Sequence, residues 1–203
     1  MKTSDPPGFS AVVLAAGFSA RMGSPKLALA YDAKRSFVEQ CARVFSGFGC
    51  TEVAIVVNTS GVEWIQGNRI SLPPRSFLAV NPQAHSGRFS SLQTGLSALK
   101  DTQRVFVHNV DNPFVKAGVL QVLAQKAGAA DCINPVYLGR LGHPVLIGQH
   151  PAREILSCGS RDLHLREVLD NYSNLMVSVD DPGILANINS PADVLRWFGQ
   201  GQG

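Results

Sequence analysis

Short apolar runs alternate along this chain with longer stretches in which apolar residues recur every three or four positions. Ala11 to Leu14, Val53 to Val57, Phe77 to Val80, Val105 to Val110, Val145 to Ile147 and Leu175 to Val179 have the length and near-continuous apolar character of strands. From Ser36 to Gly49, the residues Phe37, Cys41, Val44, Phe45 and Phe48 share one helical face. Ser36 with Glu39 has capping-box form and Gly49 supplies a stop, so a helix is expected between them. Lys116 to Ala127 and Leu163 to Leu169 carry further helical patterns, and Ser190 before Pro191 reads as a cap with proline in the first turn. Gly61 to Pro74, with Gly67, Asn68, Pro73 and Pro74, reads as a loop or edge excursion. Strands alternating with helices predict an α/β fold, a single domain over residues 1–198 with a mostly parallel sheet flanked by helices. The glycine-rich tail 199–203 is expected to be disordered.

The chemistry concentrates in the loop that follows the first strand. In Leu14-Ala15-Ala16-Gly17-Phe18-Ser19-Ala20-Arg21-Met22-Gly23-Ser24-Pro25-Lys26, the small residues Ala15, Ala16 and Gly17 let a ligand approach the backbone, whose N–H groups can point at phosphate oxygens. Arg21 and Lys26 add a planar fork and a point charge. No Gly-Lys-Ser/Thr follows at Walker A spacing, and the three-glycine dinucleotide fingerprint is missing. Asp111, in Val110-Asp111-Asn112-Pro113-Phe114, sits at the C-terminal end of a buried strand, where open α/β sheets bind ligands. A hard carboxylate there suits Mg²⁺. On local grounds alone it is equally a turn-forming aspartate.

Together these segments resemble the signature of nucleotidyltransferases of the MobA-like NTP transferase family, with the Ala-Ala-Gly, Arg-Met-Gly and Pro-Lys elements most similar to the molybdenum cofactor cytidylyltransferase branch. The resemblance extends to Gly139-Arg140-Leu141-Gly142-His143-Pro144-Val145 and Asn187-Ile188-Asn189-Ser190-Pro191-Ala192-Asp193, in the family's order. It implies a Rossmann-like fold of the nucleotide-diphospho-sugar transferase type with a mixed sheet, and an Mg²⁺-dependent enzyme. The expected reaction transfers a nucleoside monophosphate, CMP from CTP by preference, to a phosphorylated small molecule such as molybdopterin, with pyrophosphate released. By the same resemblance Lys26, Arg21 and Asp111 are catalytic. Leu14, Ala15, Ala16, Gly17, Gly87, Ser90 and Ser91 join Arg21, Lys26 and Asp111 in holding the nucleotide, Ser90 and Ser91 also being candidates to cap their helix. Asp111 and Asn189 would hold the metal, with Asn187 as the alternative ligand and a plain helix cap as the alternative role. Gly142, His143, Pro144, Asp162 and Arg166 would face the acceptor. Asn189 stands where the cytidylyltransferase branch carries aspartate, and Arg161 to Arg166 lacks the glycines expected of its segment.

Composition narrows the alternatives. A formal net charge of +3 announces no nucleic-acid surface, and no apolar stretch is long enough to span a bilayer. Cys41, Cys50, Cys132 and Cys158 form no Cys-x-x-Cys pair, which favours reduced thiols. Asp5, Pro6 and Pro7 interrupt any signal-peptide core, so a cytoplasmic location is expected. A protein that receives the finished cofactor is the one macromolecular partner the resemblance suggests. The competing readings are a guanylyltransferase for the same cofactor, a cytidylyltransferase for a sugar or polyol phosphate, and a catalytically weak protein that only binds nucleotide or cofactor. Ala16 and Pro25 stand where the guanylyl branch carries glycine and aspartate.

Overall fold

In the computed structural model, which describes residues 8–18, 25–159 and 165–199, strands and helices alternate for most of the chain. The order is β1 (Ser10–Leu14), α1 (Phe37–Phe48), β2 (Glu52–Val57), α2 (Thr59–Gly67), β3 (Ser76–Val80), α3 (Arg88–Ala98) and β4 (Arg104–Asn109). There follow α4 (Ala117–Gln125), β5 (Cys132–Tyr137), β6 (Arg140–Leu141), β7 (Val145–Gly148), α5 (Gln149–Ser157), α6 (Leu165–Leu169), β8 (Asn174–Ser178) and α7 (Pro191–Phe198). The strands form one eight-stranded sheet in the order β3-β2-β1-β4-β7-β5-β6, with β8 paired to β5. Strands β1 to β4 run parallel, β7 is antiparallel to β4 and β5, and β8 is parallel to β5. The sheet is therefore mixed and mostly parallel, as expected.

Alternate residues of the central strands feed two cores. Ala11 and Val13 of β1 pack with Phe37, Phe45 and Leu120 on one face, while Val12 packs with Leu92, Leu96 and Ile155 on the other. Helix α1 starts where Glu39 reaches back to accept from Ser36 N at 2.9 Å, and it stops at Gly49, whose φ of 104° only glycine adopts cheaply. No helix among the described residues is long and apolar enough to cross a membrane.

Two expectations need correction, and two elements went unread in the sequence. Residues 59–67 are helical rather than a loop: Asn58 caps α2 by accepting from Gly61 N at 2.8 Å, and Val62, Trp64 and Ile65 pack against the core. Gly61 is closely packed: a Cβ there would lie 3.1 Å from both Leu27 Cδ2 and Val57 Cβ, so those neighbours would have to give way. Strand β4 stops at Asn109, so Val110 and Asp111 belong to the turn beyond it. Strand β5 was hidden by Asn134 and Pro135 in its middle. The antiparallel neighbours tolerate that proline because β7 pairs with Cys132 and Ile133 and β6 with Val136 and Tyr137. Helix α5, with Pro151 inside its first turn, was also absent from the sequence reading. Of the helix expected over 163–169, residues 163 and 164 lie outside the described residues, as does the tail apart from Gly199.

Helix α3 crosses β1 and β2 at Gly95, where an added Cβ would stand 2.4 Å from Val12 Cγ1 and 2.8 Å from Val56 Cγ2. On an open helix surface Gly→Ala gains up to about 1 kcal/mol. For Gly95→Ala, overpacking of roughly 1–3 kcal/mol opposes that gain, and a net loss of stability is expected in urea unfolding.

Candidate active site

The parallel register places Leu14 of β1 beside Asn109 of β4, and one more bond, Val110 N to Leu14 O at 3.0 Å, carries the pairing into the turn. The loop after β1 and the turn after β4 therefore leave the sheet side by side. Asn58 Nδ2 donates to Ala16 O at 3.0 Å, fixing the start of the first loop. A short 3₁₀ turn at Lys26–Ala28 is anchored by buried Leu27 and presents Lys26 next door.

Asp111 is 4% exposed. Its backbone carbonyl accepts from Ile188 N at 2.7 Å, and because Ile188 is fully buried this bond pins the segment before α7 against the turn. Lys26 Nζ donates to Asp111 Oδ2 at 2.9 Å and to Asn189 Oδ1. Residues 85 and 163 positions apart in sequence thus meet at one ammonium group. Ser190 caps α7, accepting from Asp193 N at 3.3 Å. That leaves the Asn189 side chain for Lys26, while Asn187 supplies only its carbonyl to Asn189 Nδ2 at 3.4 Å.

The other half of the site hangs on a single carbonyl. Ile184 O accepts from His143 N at 2.9 Å and from Asn112 Nδ2 at 2.9 Å. Gly142 approaches the same residue so closely that a Cβ would fall 2.6 Å from Ile184 O, which only glycine permits. The Asn112 carbonyl in turn accepts from the buried His108 ring at 2.7 Å. The turn bearing Asp111 and the Gly142-His143-Pro144 loop are thereby held at a fixed separation. His143 Nε2 accepts from Asn109 Nδ2 at 3.0 Å. Burial lowers the pKa of His143, with Arg88 adding to the fall and Asp111 opposing it.

A cavity of about 1010 Å³ opens here, lined among others by Arg88, Asn109, Leu141, His143, Arg166 and Met176. Arg88 NH2 lies 3.9 Å from Asp111 Oδ2. Arg166 reaches the cavity with an 84% exposed side chain that lies 3.8 Å from Asp170. Gly87, also in the lining, adopts φ 95° and precedes α3 as its N-cap. Because the helix starts at Arg88, neither Ser90 nor Ser91 caps it. Their buried hydroxyls accept from Asn81 Nδ2 at 3.0 and 3.1 Å and brace the loop from within. Arg21 and Asp162 lie outside the described residues.

The donor set fits a hard divalent cation. Asp111 Oδ1 is buried without a hydrogen-bond partner, and Asn189 Oδ1 adds an amide oxygen on the same ammonium. Mg²⁺ and its relatives take one or two such protein oxygens and fill the rest of their shell with water and phosphate. No group of three or more His, Cys, Asp or Glu that could hold a metal occurs among the described residues. Sequence reading passed over Arg88, Asn109 and Asn112. Asn109 and Asn112 flank the Val110-Asp111 pair and could have been flagged as polar residues at a strand end, whereas the role of Ile184 is carried by its backbone and leaves no side-chain signal.

An open α/β sheet with a small-residue loop, a lysine and a buried aspartate at the carboxyl ends of its strands defines a nucleotide-handling protein. The model of the MobA-like NTP transferase domain matches residues 11–175, and the chain belongs to that family. No curated protein sequence matches it significantly. Among solved structures it is similar to a nucleotidyl transferase from Methanothermobacter thermautotrophicus, with 22% identity and a TM-score of 0.77 over 94% of this chain and 96% of that one. It also resembles the manganese complex of Rv0371C from Mycobacterium tuberculosis H37Rv, at 17% identity and a TM-score of 0.73 over 94% and 97% of the two chains. Molybdopterin-guanine dinucleotide biosynthesis protein A from Archaeoglobus fulgidus matches at 21% identity and a TM-score of 0.63 over 92% and 95%. At these identities the likeness establishes the fold.

Lys26 places its charge on Asp111 Oδ2 and Asn189 Oδ1, beside the unpaired Asp111 Oδ1, so it should compete with free metal. Lys26→Met is expected to bind Mn²⁺ several-fold more tightly than the unaltered protein when nucleotide is absent, read by electron paramagnetic resonance. Unchanged affinity would show that the ammonium offers no competition.

His108 gives a pH dependence with a definite sign. Burial lowers its pKa to about 3, against about 6.5 in an unfolded chain. Its contribution is complete above the unfolded value and declines below it, because the unfolded chain takes up a proton that the folded protein refuses. The loss is at most about 1.4 kcal/mol per pH unit. Urea midpoints measured at pH 7 and pH 5 should therefore differ less in His108→Gln than in the unaltered protein.

Proposed function

We propose that the protein is a divalent-metal-dependent nucleotidyltransferase that moves CMP from CTP to a phosphorylated small molecule of the molybdopterin class. The observation that carries this reading is the meeting of Lys26, Asp111 and Asn189 beside a cavity large enough for a second substrate. Family membership supports the transferase class, and the solved relatives include a nucleotidyl transferase, a manganese complex and a molybdopterin-guanine dinucleotide biosynthesis protein.

In the proposed reaction a phosphate oxygen of the acceptor attacks the α-phosphorus of the nucleotide. A new P–O–P bond forms, the bond to the β-phosphate breaks, and pyrophosphate leaves. The residues must bring like charges together and then neutralise what develops. Leu14, Ala15, Ala16 and Gly17 offer backbone to the triphosphate, with Arg21 as a further cation, and Gly87, Ser90 and Ser91 shape the wall for ribose and base. Asp111 and Asn189 would hold Mg²⁺, which supplies charge neutralisation at the phosphates. Lys26 shifts from Asp111 to the α-phosphate when nucleotide enters. Gly142, His143, Pro144, Asp162 and Arg166 address the acceptor. His143, neutral because its buried ring resists protonation, can offer a hydrogen bond without adding charge.

The deciding experiment crosses the four nucleoside triphosphates with molybdopterin and a panel of sugar and polyol phosphates, reading pyrophosphate release. Release with CTP and molybdopterin is expected. GTP preference would assign guanylyl transfer, a sugar or polyol phosphate acceptor would move the protein to another branch, and nucleotide binding without release would leave a binding protein.

Two variants test the metal site. Asp111→Ala should lower turnover by about a hundredfold or more, since it forfeits several kcal/mol of charge neutralisation, without unfolding the protein. Asn189→Asp should keep or tighten Mg²⁺ dependence, whereas Asn189→Ala should raise the Mg²⁺ concentration needed for half-maximal activity. An unchanged Mg²⁺ requirement in Asn189→Ala would remove Asn189 from the metal.

A further inference from the structure

Phosphoryl transfer between two anions needs a cation at the place where they meet. Lys26 lies on the nucleotide loop and touches Asp111 at 2.9 Å. Among the described residues a second cation lies within reach of that carboxylate: Arg88, 3.9 Å from the same Oδ2. Its position is set by the backbone. Gly87 at φ 95° turns the chain into α3, and Arg88 as the first helical residue lines the cavity together with Asn109, Gly142 and His143.

Three features distinguish Arg88 from a surface arginine. Its guanidinium stands where the cavity meets the Asp111 turn, beside both the nucleotide and the acceptor halves of the site. The side chain is 75% exposed, and at 3.9 Å its ion pair is beyond hydrogen-bond length, so it is held weakly and can turn toward a better anion. Arg166 also lines the cavity and pairs just as loosely with Asp170 at 3.8 Å, but among the described residues no contact joins it to Asp111. Arg88 also contributes to the lowered pKa of His143, which places its charge close to the acceptor loop.

We propose that Arg88 binds the acceptor's attacking phosphate and presents it to the α-phosphate of the nucleotide. A guanidinium suits this work because its fork can take two oxygens of one phosphate or one oxygen from each of two. The inference rests on the transferase reading and adds to it the residue that receives the acceptor's charge. It also states a requirement on that substrate: a phosphate monoester at the end that enters the cavity toward Asp111.

The test is a comparison of Arg88→Met and Arg88→Lys with the unaltered protein. In pyrophosphate release, Arg88→Met should raise KM for the acceptor and lower kcat, a combined loss of about 10- to 100-fold, the range of a hydrogen bond to a charged group. KM for the nucleotide should stay within about twofold, as expected if the contact is to the other substrate. Arg88→Lys should recover part of the loss by restoring charge without the fork. A rise confined to the nucleotide KM, or no change in either, would overturn the proposal. Calorimetry supplies an independent reading: inorganic phosphate titrated into protein loaded with Mg²⁺ and a non-hydrolysable CTP analogue should bind to the unaltered protein and not to Arg88→Met. Equal binding would also overturn it. Thermal melts of both variants should match the unaltered protein, given the exposure of the side chain. Absence of pyrophosphate release from the unaltered protein with every acceptor would sink the transferase reading instead, and the phosphate titration would still decide the role of Arg88.

Discussion

A carboxylate buried at the end of the central strand is the constraint around which the site is built. Moving an ionised group out of water costs several kcal/mol unless it is paired and hydrogen-bonded, and Asp111 is almost wholly removed from solvent. Lys26 compensates one oxygen directly. The other is left without a hydrogen bond, which is unusual for a buried polar atom and leaves an acceptor oxygen open beside the ammonium. Everything that touches the turn serves to keep the carboxylate there: Ile188 N on the Asp111 carbonyl, Asn112 on Ile184, and His108 behind Asn112.

The sheet order determines which segments can reach that carboxylate. Placing β1 between β2 and β4 sets the loop after β1 beside the turn after β4, and both emerge at the carboxyl ends of parallel strands. The antiparallel β7 then brings the Gly142-His143-Pro144 loop in from the opposite direction, because that loop precedes β7 and lies level with the end of β4. A purely parallel strand in that place would enter the sheet at its far end. The mixed character of the sheet is therefore what allows the loop after β1 and the Gly142-His143-Pro144 loop to share one rim. The shared Ile184 carbonyl fixes the distance between them.

Much of this arrangement was legible in the residues. Val-rich runs marked β1, β2 and β4, and Ser36, Glu39 and Gly49 marked both ends of α1, because these are local signals whose physics is complete within a few residues. The loop from Leu14 to Lys26, Asp111 and Asn189 could be named because their chemistry is rare in combination. What stayed hidden depends on contacts between distant residues. Gly61 and Gly67 suggested a loop, yet Gly61 is closely packed by Leu27 and Val57, a tertiary contact that local pattern cannot carry. Pro135 obscured β5 in the same way, since its tolerance depends on which neighbour pairs at which position. Arg88 lies between the candidate residues Gly87 and Ser90 but shows its relevance only through its distance to a residue 23 positions later in the sequence.

The pairing of an aspartate with an asparagine, rather than with a second carboxylate, has an electrostatic consequence. With Lys26 between Asp111 and Asn189, the three groups sum to neutrality, and the amide oxygen accepts from the ammonium without contributing a charge. A second carboxylate would leave the trio with a net negative charge and would hold both Lys26 and a free divalent ion more strongly. The neutral trio instead favours a cation that arrives with its own anion, because only then are both the metal and the displaced lysine compensated at once. On the transferase reading proposed above, a metal-nucleotide complex would meet that condition: its phosphates would receive the ammonium that leaves Asp111, and the freed carboxylate would hold the metal. The substitution of asparagine for aspartate at position 189 therefore need not weaken the working site. On that reading it would shift part of the burden of holding the metal from the protein to the nucleotide, and would make loading of the site and engagement of Lys26 with the phosphates a single event.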